Sequence, residues 1–213
     1  MRIIPIEVGA LGTNCYVVYD DTKQDVSRRE CVIIDPGDGP KKIGRVLDEN
    51  GLTPSAILLT HGHFDHIGAV DDLSAVYPGI KIYAGKNEDT VLQDQELNLT
   101  ARVRRPLTIK ADRLLENNEA FEEAGITFRV IATPGHTMGS VCYQVESENV
   151  LFSGDTLFMM SMGRTDFPTG DESQIFASLQ KLSLLPDETD VYPGHGGKTC
   201  IGDEKRNNPY LQR

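Results

Sequence analysis

All five histidines of this 213-residue chain lie in short glycine-containing turns that follow strand-like segments. Three fall within the HGHFDH run of residues 61–66, while His136 and His195 each follow a Pro-Gly pair, in TPGHT and YPGHG. A Pro-Gly pair ends a strand and lets the next side chain project from a sharp turn. Asp155 occupies a similar turn, in FSGDT. Strand ends therefore carry every histidine, and this placement predicts that the histidines converge on one site.

A single histidine in a turn is usually hydrogen-bonded to the backbone, but that explanation does not account for all five at once. His61 and His63 alternate along an extended segment, and Gly62 between them permits an unusual backbone angle. Asp65 and His66 follow on the next turn, so one loop can direct two side chains at one ion and two at another. The sequence therefore predicts a metal site.

Hydrophobic periodicity predicts strands that alternate with helices in both halves of the chain. The apolar SAILLT run of residues 55–60 is typical of a strand buried on both faces, and it leads directly into the histidine run. Two sheets packed face to face with helices outside, a four-layer α/β sandwich, fit this order. The predicted strands are 2–8, 14–19, 30–35, 55–60, 80–84, 126–133, 141–145, 150–153 and 191–192, and the predicted helices are 41–50, 69–76, 87–97 and 172–185.

Composition limits the partners of the chain. No linker-like segment divides residues 1–213, so we expect one domain, and 39% hydrophobic residues are enough for a sizeable core. A net charge of −11 argues against nucleic-acid binding. No apolar run approaches the roughly 18 residues of a membrane span. We therefore expect a small-molecule substrate, and the sequence carries no signal for an oligomeric state.

The four cysteines show no CxxC spacing, and two of them lie in apolar strand-like runs. Free buried thiols are the expectation, which fits a reducing cytoplasm better than an exported protein. The residues are Cys15, Cys31, Cys142 and Cys200.

The HxHxDH run, together with the later histidines and aspartate, resembles the metallo-β-lactamase superfamily over residues 14–195. The resemblance implies the αββα fold and two divalent metal ions, with zinc expected first and iron or manganese as alternatives. It implies one ion held by His61, His63 and His136 and a second held by Asp65, His66 and His195. Asp155 is then expected to bridge the two ions.

Within that superfamily the chain resembles the short glyoxalase II-like hydrolases, of the hydroxyacylglutathione hydrolase type. The resemblance rests on TNCY at 13–16, DPG at 35–37 and SGDTLF at 153–158. It implies cleavage of an acyl-glutathione-like thioester by a metal-bridging hydroxide. Asp65 then either orients the water and takes up its proton or serves as a ligand only. The β-lactamases proper look less similar, because they usually place cysteine where this chain has Asp155.

Departures from that group leave other readings open. Only 18 residues follow His195, so we expect no C-terminal helical domain like that of true glyoxalase II. Residues 163–168 also resemble the persulfide dioxygenases, which implies a single iron held by His61, His136 and Asp155. A binding module without catalysis is the third reading, although an intact ligand set argues against it.

Several further residues have both a functional and a structural interpretation. Arg164 either presents its guanidinium to a substrate carboxylate or pairs internally with Asp166. A basic cluster after the 87–97 segment either meets an anionic substrate or is a solvated surface run. Aromatic residues in the strands either line a pocket or belong to the core. The cluster is Arg102, Arg104 and Arg105, and the aromatic residues are Tyr16, Tyr83, Tyr143 and Phe158.

Overall fold

Two six-stranded sheets form the centre of the computed structural model, which describes residues 1–22 and 29–212. The first sheet has the order β1-β2-β3-β4-β5-β6, antiparallel from β1 to β3 and parallel from β3 to β6. Its strands are β1 Arg2–Val8, β2 Thr13–Tyr19, β3 Arg29–Ile34, β4 Leu52–Leu59, β5 Lys81–Gly85 and β6 Arg113–Leu115.

The second sheet has the order β14-β13-β10-β9-β8-β7, and only its β10–β13 pair is parallel. A separate two-stranded hairpin, β11–β12, follows β10. These strands are β7 Ala120–Glu123, β8 Ile126–Ala132, β9 Val141–Val145, β10 Val150–Gly154, β11 Leu157–Phe158, β12 Ser161–Met162, β13 Asp190–Pro193 and β14 Thr199–Cys200.

Helices cover the outer faces of both sheets. Pro40 occupies the first turn of α1, where its missing N–H costs nothing, and the Asp171 side chain accepts the Gln174 backbone N–H at the start of α5. The helices are α1 Pro40–Glu49, α2 Phe64–Ile67, α3 Val70–Val76, α4 Asp89–Leu92, α5 Glu172–Leu182 and α6 Ile201–Asn207.

Three buried clusters correspond to the three interfaces between the four layers. Ile43 of α1 and Leu73 of α3 pack on the outer face of the first sheet. The cluster between the sheets contains Phe128, Tyr143 and Phe152, all fully buried. Helices α5 and α6 cover the outer face of the second sheet. The predicted αββα sandwich is therefore confirmed.

The predicted helix over 87–97 is wrong. The segment forms a 3-10 turn, Lys86–Glu88, followed by the single helical turn α4. The Asp94 side chain then accepts the backbone N–H groups of Glu96 and Leu97 at 2.8 and 3.2 Å, which gives the backbone an alternative to helical hydrogen bonds. Strands β6, β7, β11, β12 and β14 and helices α2 and α6 were not predicted from the sequence.

All four cysteines are free thiols, and all but Cys200 are buried. Burial raises the pKa of Cys31 to about 12, so this thiol stays protonated and packs as a small apolar group. None of the helices in the described ranges has the length and apolar character needed to span a bilayer.

Candidate metal centre

The HGHFDH run begins where β4 ends in the first sheet. Its first residues are extended, with φ −68° and ψ 149° at His63, and the chain then turns into α2, which carries Asp65 and His66. Gly62 does not have a positive φ, so its expected unusual backbone angle is not present. A Cβ there would lie 3.1 Å from side-chain atoms of Val91 and Leu92, so a larger residue at position 62 would require these side chains to shift.

The remaining residues of the cluster come from turns at the ends of strands in the second sheet. Gly135, before His136, has φ 135°, and a Cβ at this position would lie 2.3 Å from the Ile175 backbone nitrogen. A Cβ on Gly194, before His195, would lie 2.1 Å from Asp155 Oδ1. These glycines allow the two histidines to approach the cluster closely.

Three imidazoles form the first group of possible metal donors. The donor atoms of His61, His63 and His136 lie within 4.8 Å of one another, and all three residues are buried. The distance from His63 Nδ1 to His136 Nε2 is 2.9 Å. His136 Nδ1 donates to the Arg164 carbonyl oxygen at 2.7 Å, which leaves Nε2 to face the group.

Asp65, His66 and His195 form a second group with the same spacing. His195 Nε2 lies 3.2 Å and His66 Nε2 3.6 Å from Asp65 Oδ2. The Thr13 hydroxyl donates to the same oxygen at 2.9 Å and fixes the carboxylate.

Asp155 lies between the two groups. Its Oδ1 is 3.4 Å from His66 Nε2, and its Oδ2 is 3.6 Å from both His136 Nε2 and His195 Nε2. The structure thus brings together all seven residues that the sequence singled out, and Asp155 occupies the position expected of a bridging carboxylate.

The buried polar atoms of this cluster fit a metal. In the described residues six buried side-chain nitrogen or oxygen atoms lack a hydrogen-bond partner, and four of them belong to the cluster. Leaving such atoms unpaired is costly unless an ion binds them. The donor set of imidazoles and carboxylates is the type that divalent zinc, iron or manganese prefers. The four atoms are His61 Nε2, His63 Nε2, His66 Nε2 and Asp155 Oδ1.

The protonation states of four cluster residues favour metal binding. Burial and the neighbouring imidazoles hold the pKa of His61 well below its usual value, and burial beside His136 lowers the pKa of His63 to about 3. Burial alone would raise the pKa of Asp65 and Asp155, but the adjacent histidines, His66 first, lower it in both. Neutral imidazoles and ionised carboxylates are the forms that bind metal.

His66 and His195 show the opposite shift. Although burial opposes it, contacts with Asp155 and Asp65 raise the pKa of both imidazoles above the usual value. The neighbouring carboxylates thus favour the protonated form of these two imidazoles, and a metal ion would have to displace those protons in order to bind.

Two buried carboxylates around the cluster were not recognised as functional from the sequence. Asp35 accepts the Thr60 backbone N–H at 2.8 Å, the Thr60 hydroxyl at 2.6 Å and His66 Nδ1–H at 3.0 Å. Glu88 accepts the Gly62 N–H at 2.7 Å with Oε1, and its Oε2 accepts the Thr137 hydroxyl at 2.8 Å. Asp35 thus orients a ligand ring, and Glu88 joins the loops that carry His61 and His136.

A cleft of about 320 Å³, the cluster cleft, opens above these residues. Phe158 and Arg164 line it, so the pocket interpretation holds for Phe158. Tyr16, Tyr83 and Tyr143 are instead buried in the core between the sheets. Of the four aromatic residues, one therefore lines the cleft and three belong to the core.

Of the two predicted roles of Arg164, the internal pair with Asp166 is observed, and the contact with a substrate carboxylate stays a prediction. Its Nε and Nη2 each donate to Asp166 at 2.6 Å, so the internal pair forms. The guanidinium carbon also lies 4.0 Å from the Phe167 ring centroid, at the wall of the cluster cleft.

Curated relatives resemble this chain over nearly its whole length. It is 39% identical to the probable metallo-hydrolase YqgX of Bacillus subtilis, over 96% of this chain and 94% of that protein. It is 36% identical to the hydroxyacylglutathione hydrolase GloC of Haemophilus influenzae, over 99% and 98% of the two chains.

Solved structures of other proteins have the same fold as this chain. The BLEG-1 B3 metallo-β-lactamase superposes with a TM-score of 0.91 at 43% identity over all of both chains. TTHA1623, solved in a di-iron-bound form, has a TM-score of 0.84 at 37% identity, over 98% of this chain and 100% of that one. ETHE1 from Myxococcus xanthus has a TM-score of 0.77 at 29% identity, over 100% and 86%. The expectation that β-lactamases proper are less similar is therefore wrong for BLEG-1.

The model of the metallo-β-lactamase superfamily matches residues 8–195, a span that begins before the TNCY segment and ends on His195. With the αββα sandwich, the converged cluster and these relatives, this match shows that the chain belongs to the metallo-β-lactamase superfamily.

Proposed function

We propose that this protein is a dinuclear metal-dependent hydrolase that cleaves a thioester of the acyl-glutathione type. The observation that carries the proposal is the arrangement of two donor groups joined by Asp155 at the floor of the cluster cleft. We assign His61, His63 and His136 to one ion and Asp65, His66 and His195 to the other.

Covalent catalysis by a side chain has little support here. A serine or cysteine nucleophile needs a general base, most often histidine, and every histidine of the chain is part of the cluster. Cys15, Cys31 and Cys142 are buried, and Cys200 does not line the cleft. Water is therefore the proposed nucleophile.

Two bound divalent ions would lower the pKa of a coordinated water toward ~7 and polarise the carbonyl of the thioester. Within the described part of the chain, the contacts of Asp65 use Oδ2, which leaves Oδ1 to accept a hydrogen bond from the attacking water. The side chain is 14% exposed, so it reaches the cleft. Asp65 then orients the water and can receive its proton.

The names of the relatives support this choice of reaction. GloC is described as a hydroxyacylglutathione hydrolase, and YqgX as a probable metallo-hydrolase. We propose zinc as the metal, with iron as the alternative because TTHA1623 was solved with two irons. The four free cysteines fit a reducing compartment, and we propose a cytoplasmic location.

The test measures metal content and turnover on the same preparation. Zinc, iron and manganese are quantified per chain in protein purified without chelator, and thiol release from S-lactoylglutathione is followed. We expect about two metals per chain and thiol release that His61→Ala abolishes. Arg45→Gln changes an exposed residue of α1 that does not line the cluster cleft, so it is the matched control and should retain full activity.

Oxygen uptake with glutathione persulfide is measured in parallel. One iron per chain with oxygen uptake and no thiol release would overturn the hydrolase proposal in favour of a dioxygenase that uses His61, His136 and Asp155.

A second candidate substrate is a β-lactam. The similarity to the BLEG-1 B3 metallo-β-lactamase, at 43% identity over the full length, favours it. An amide carbonyl can be attacked by the same water as a thioester carbonyl. Hydrolysis of a chromogenic cephalosporin is compared with thioester cleavage, and a higher kcat/KM for the cephalosporin would reject the thioester as the main substrate.

A further inference from the structure

A second cavity of about 320 Å³ adjoins the cluster cleft. We call it the Arg104 pocket; it lies between the β1–β2 turn, α2 and the 100–107 segment. Leu11, Phe64 and Asp65 line both cavities. A single ligand can therefore extend from the metal cluster into the Arg104 pocket and stay in contact with the protein along its length.

The walls of the Arg104 pocket are mainly apolar, and two of its lining residues are arginines. Phe64, Val103 and Leu107 supply apolar surface. Arg104 and Arg105 are the cationic side chains. Binding sites of this kind combine apolar walls with a few polar groups that fix the orientation of the ligand.

The two arginines differ in their partners. Arg105 donates to Asp72 and lies 4.0 Å from Asp71, so its charge is already paired. Arg104 has no hydrogen bond or ion pair with any residue in 1–22 or 29–212. An exposed guanidinium beside apolar walls is the feature that recognises a carboxylate.

The carboxylates on the same walls do not neutralise Arg104. Asp72 pairs with Arg105, and Asp65 belongs to the metal cluster. Asp38 accepts the Gly39 backbone N–H at 2.6 Å and forms no ion pair with Arg104 within residues 1–22 and 29–212. Arg104 is therefore the cation of this pocket that remains available to a ligand.

We propose that Arg104 binds a carboxylate at the non-reacting end of the substrate, so that the enzyme prefers thioesters that carry a free carboxylate. The inference rests on the proposed thioesterase function. The thioester lies in the cluster cleft, and the part that ends in the carboxylate extends past Phe64 into the Arg104 pocket. Arg102, in the same basic cluster, lines neither cavity and has no such role.

The test uses two substrates that differ in charge, S-acetylglutathione and its diamide, in which both carboxylates are primary amides. We expect Arg104→Gln to lower kcat/KM for S-acetylglutathione about tenfold, mainly through KM, because a charge-assisted bond is lost. The diamide should change less than about twofold, since neutral amides do not form that bond. Arg102→Gln is the matched control and should change neither substrate.

Binding is measured separately from hydrolysis with S-methylglutathione, a thioether that cannot be cleaved. Calorimetry should show weaker binding to Arg104→Gln than to the wild type or Arg102→Gln. Absence of thioester cleavage with this binding difference intact would reject the proposed function but keep the carboxylate site. Equal effects of Arg104→Gln on both substrates, or no difference in S-methylglutathione binding, would overturn the role of Arg104.

Discussion

Replacing Asp35 by asparagine should weaken metal binding without changing any residue of the cluster. The carboxylate accepts three hydrogen bonds, two from Thr60 and one from His66 Nδ1, and it is only 2% exposed. The bond to His66 fixes the tautomer that leaves Nε2 free to face Asp65 and Asp155.

The magnitude follows from the number of donors that asparagine can satisfy. If the amide oxygen takes the place of Oδ2, it keeps the Thr60 hydroxyl and His66, but the amide NH₂ then meets the Thr60 N–H. One buried donor without an acceptor costs about 1–3 kcal/mol. The His66 bond then goes to a neutral amide oxygen instead of a carboxylate, and mutation of such an outer partner of a metal-binding histidine typically lowers metal affinity roughly 10–100-fold. We expect the loss at the ion that His66 holds.

Zinc titration of chelator-treated protein in competition with a chromogenic chelator measures both binding steps. Asp35→Asn should weaken one of the two zinc equivalents by about 10–100-fold and leave the other within about threefold. Asp38→Asn, three residues away and exposed, is the matched control. Two unchanged equivalents in Asp35→Asn would refute the orienting role, and equal weakening of both would refute the assignment of His66 to one ion.

Three further changes test separate parts of the structure. Burial raises the pKa of Glu88 from 4.5 to about 7, so the folded chain holds this proton more tightly than the unfolded chain. The resulting stabilisation is present below pH 4.5 and is lost as the pH rises through 7. Over this range, denaturant unfolding of metal-free protein should show the free energy of unfolding of the wild type falling by roughly 3 kcal/mol relative to that of Glu88→Gln. Parallel pH profiles of the two proteins would contradict the pKa shift. Gly194→Ala places a Cβ 2.1 Å from Asp155 Oδ1, so elemental analysis should find less than the wild-type metal content, and full occupancy would contradict the steric argument. Tyr143→Phe removes the 2.8 Å bond to the Leu59 carbonyl and should cost about 1 kcal/mol in thermal unfolding, whereas an unchanged melting temperature would mean that the bond adds no net stability.

The histidine spacing was sufficient to predict the cluster because turn chemistry and strand ends are local features. HGHFDH follows an apolar strand, and the Pro-Gly pairs before His136 and His195 mark the ends of two other segments. The αββα layers followed from the alternation of strands and helices. The division of Tyr143 and Phe158 between core and cleft could not be predicted, because both lie in or beside strands and only the packing of the sheets separates them.

Long-range pairing explains what the sequence did not reveal. Asp35 reaches Thr60 and His66 because β3 pairs in parallel with β4, with Ile34 opposite Leu58, so the two strands end side by side. Glu88 lies in a polar segment that resembles a surface helix, and a fully buried glutamate is rare enough that no local pattern indicates it. Such contacts depend on which strands pair and in what register, and local sequence patterns do not reveal this pairing.

The cluster also has a mechanical consequence, because its residues come from both sheets. His61, His63, Asp65 and His66 follow a strand of the first sheet, whereas His136, Asp155 and His195 follow strands of the second. Each donor group therefore joins the two halves of the sandwich, next to the place where Asn14 N–H bonds the Gly194 carbonyl at 2.7 Å. An ion bound there would act as a cross-link between distant parts of the chain and would add its binding free energy to the cohesion of the halves. Catalytic competence and resistance to unfolding would then rise and fall with the same metal supply.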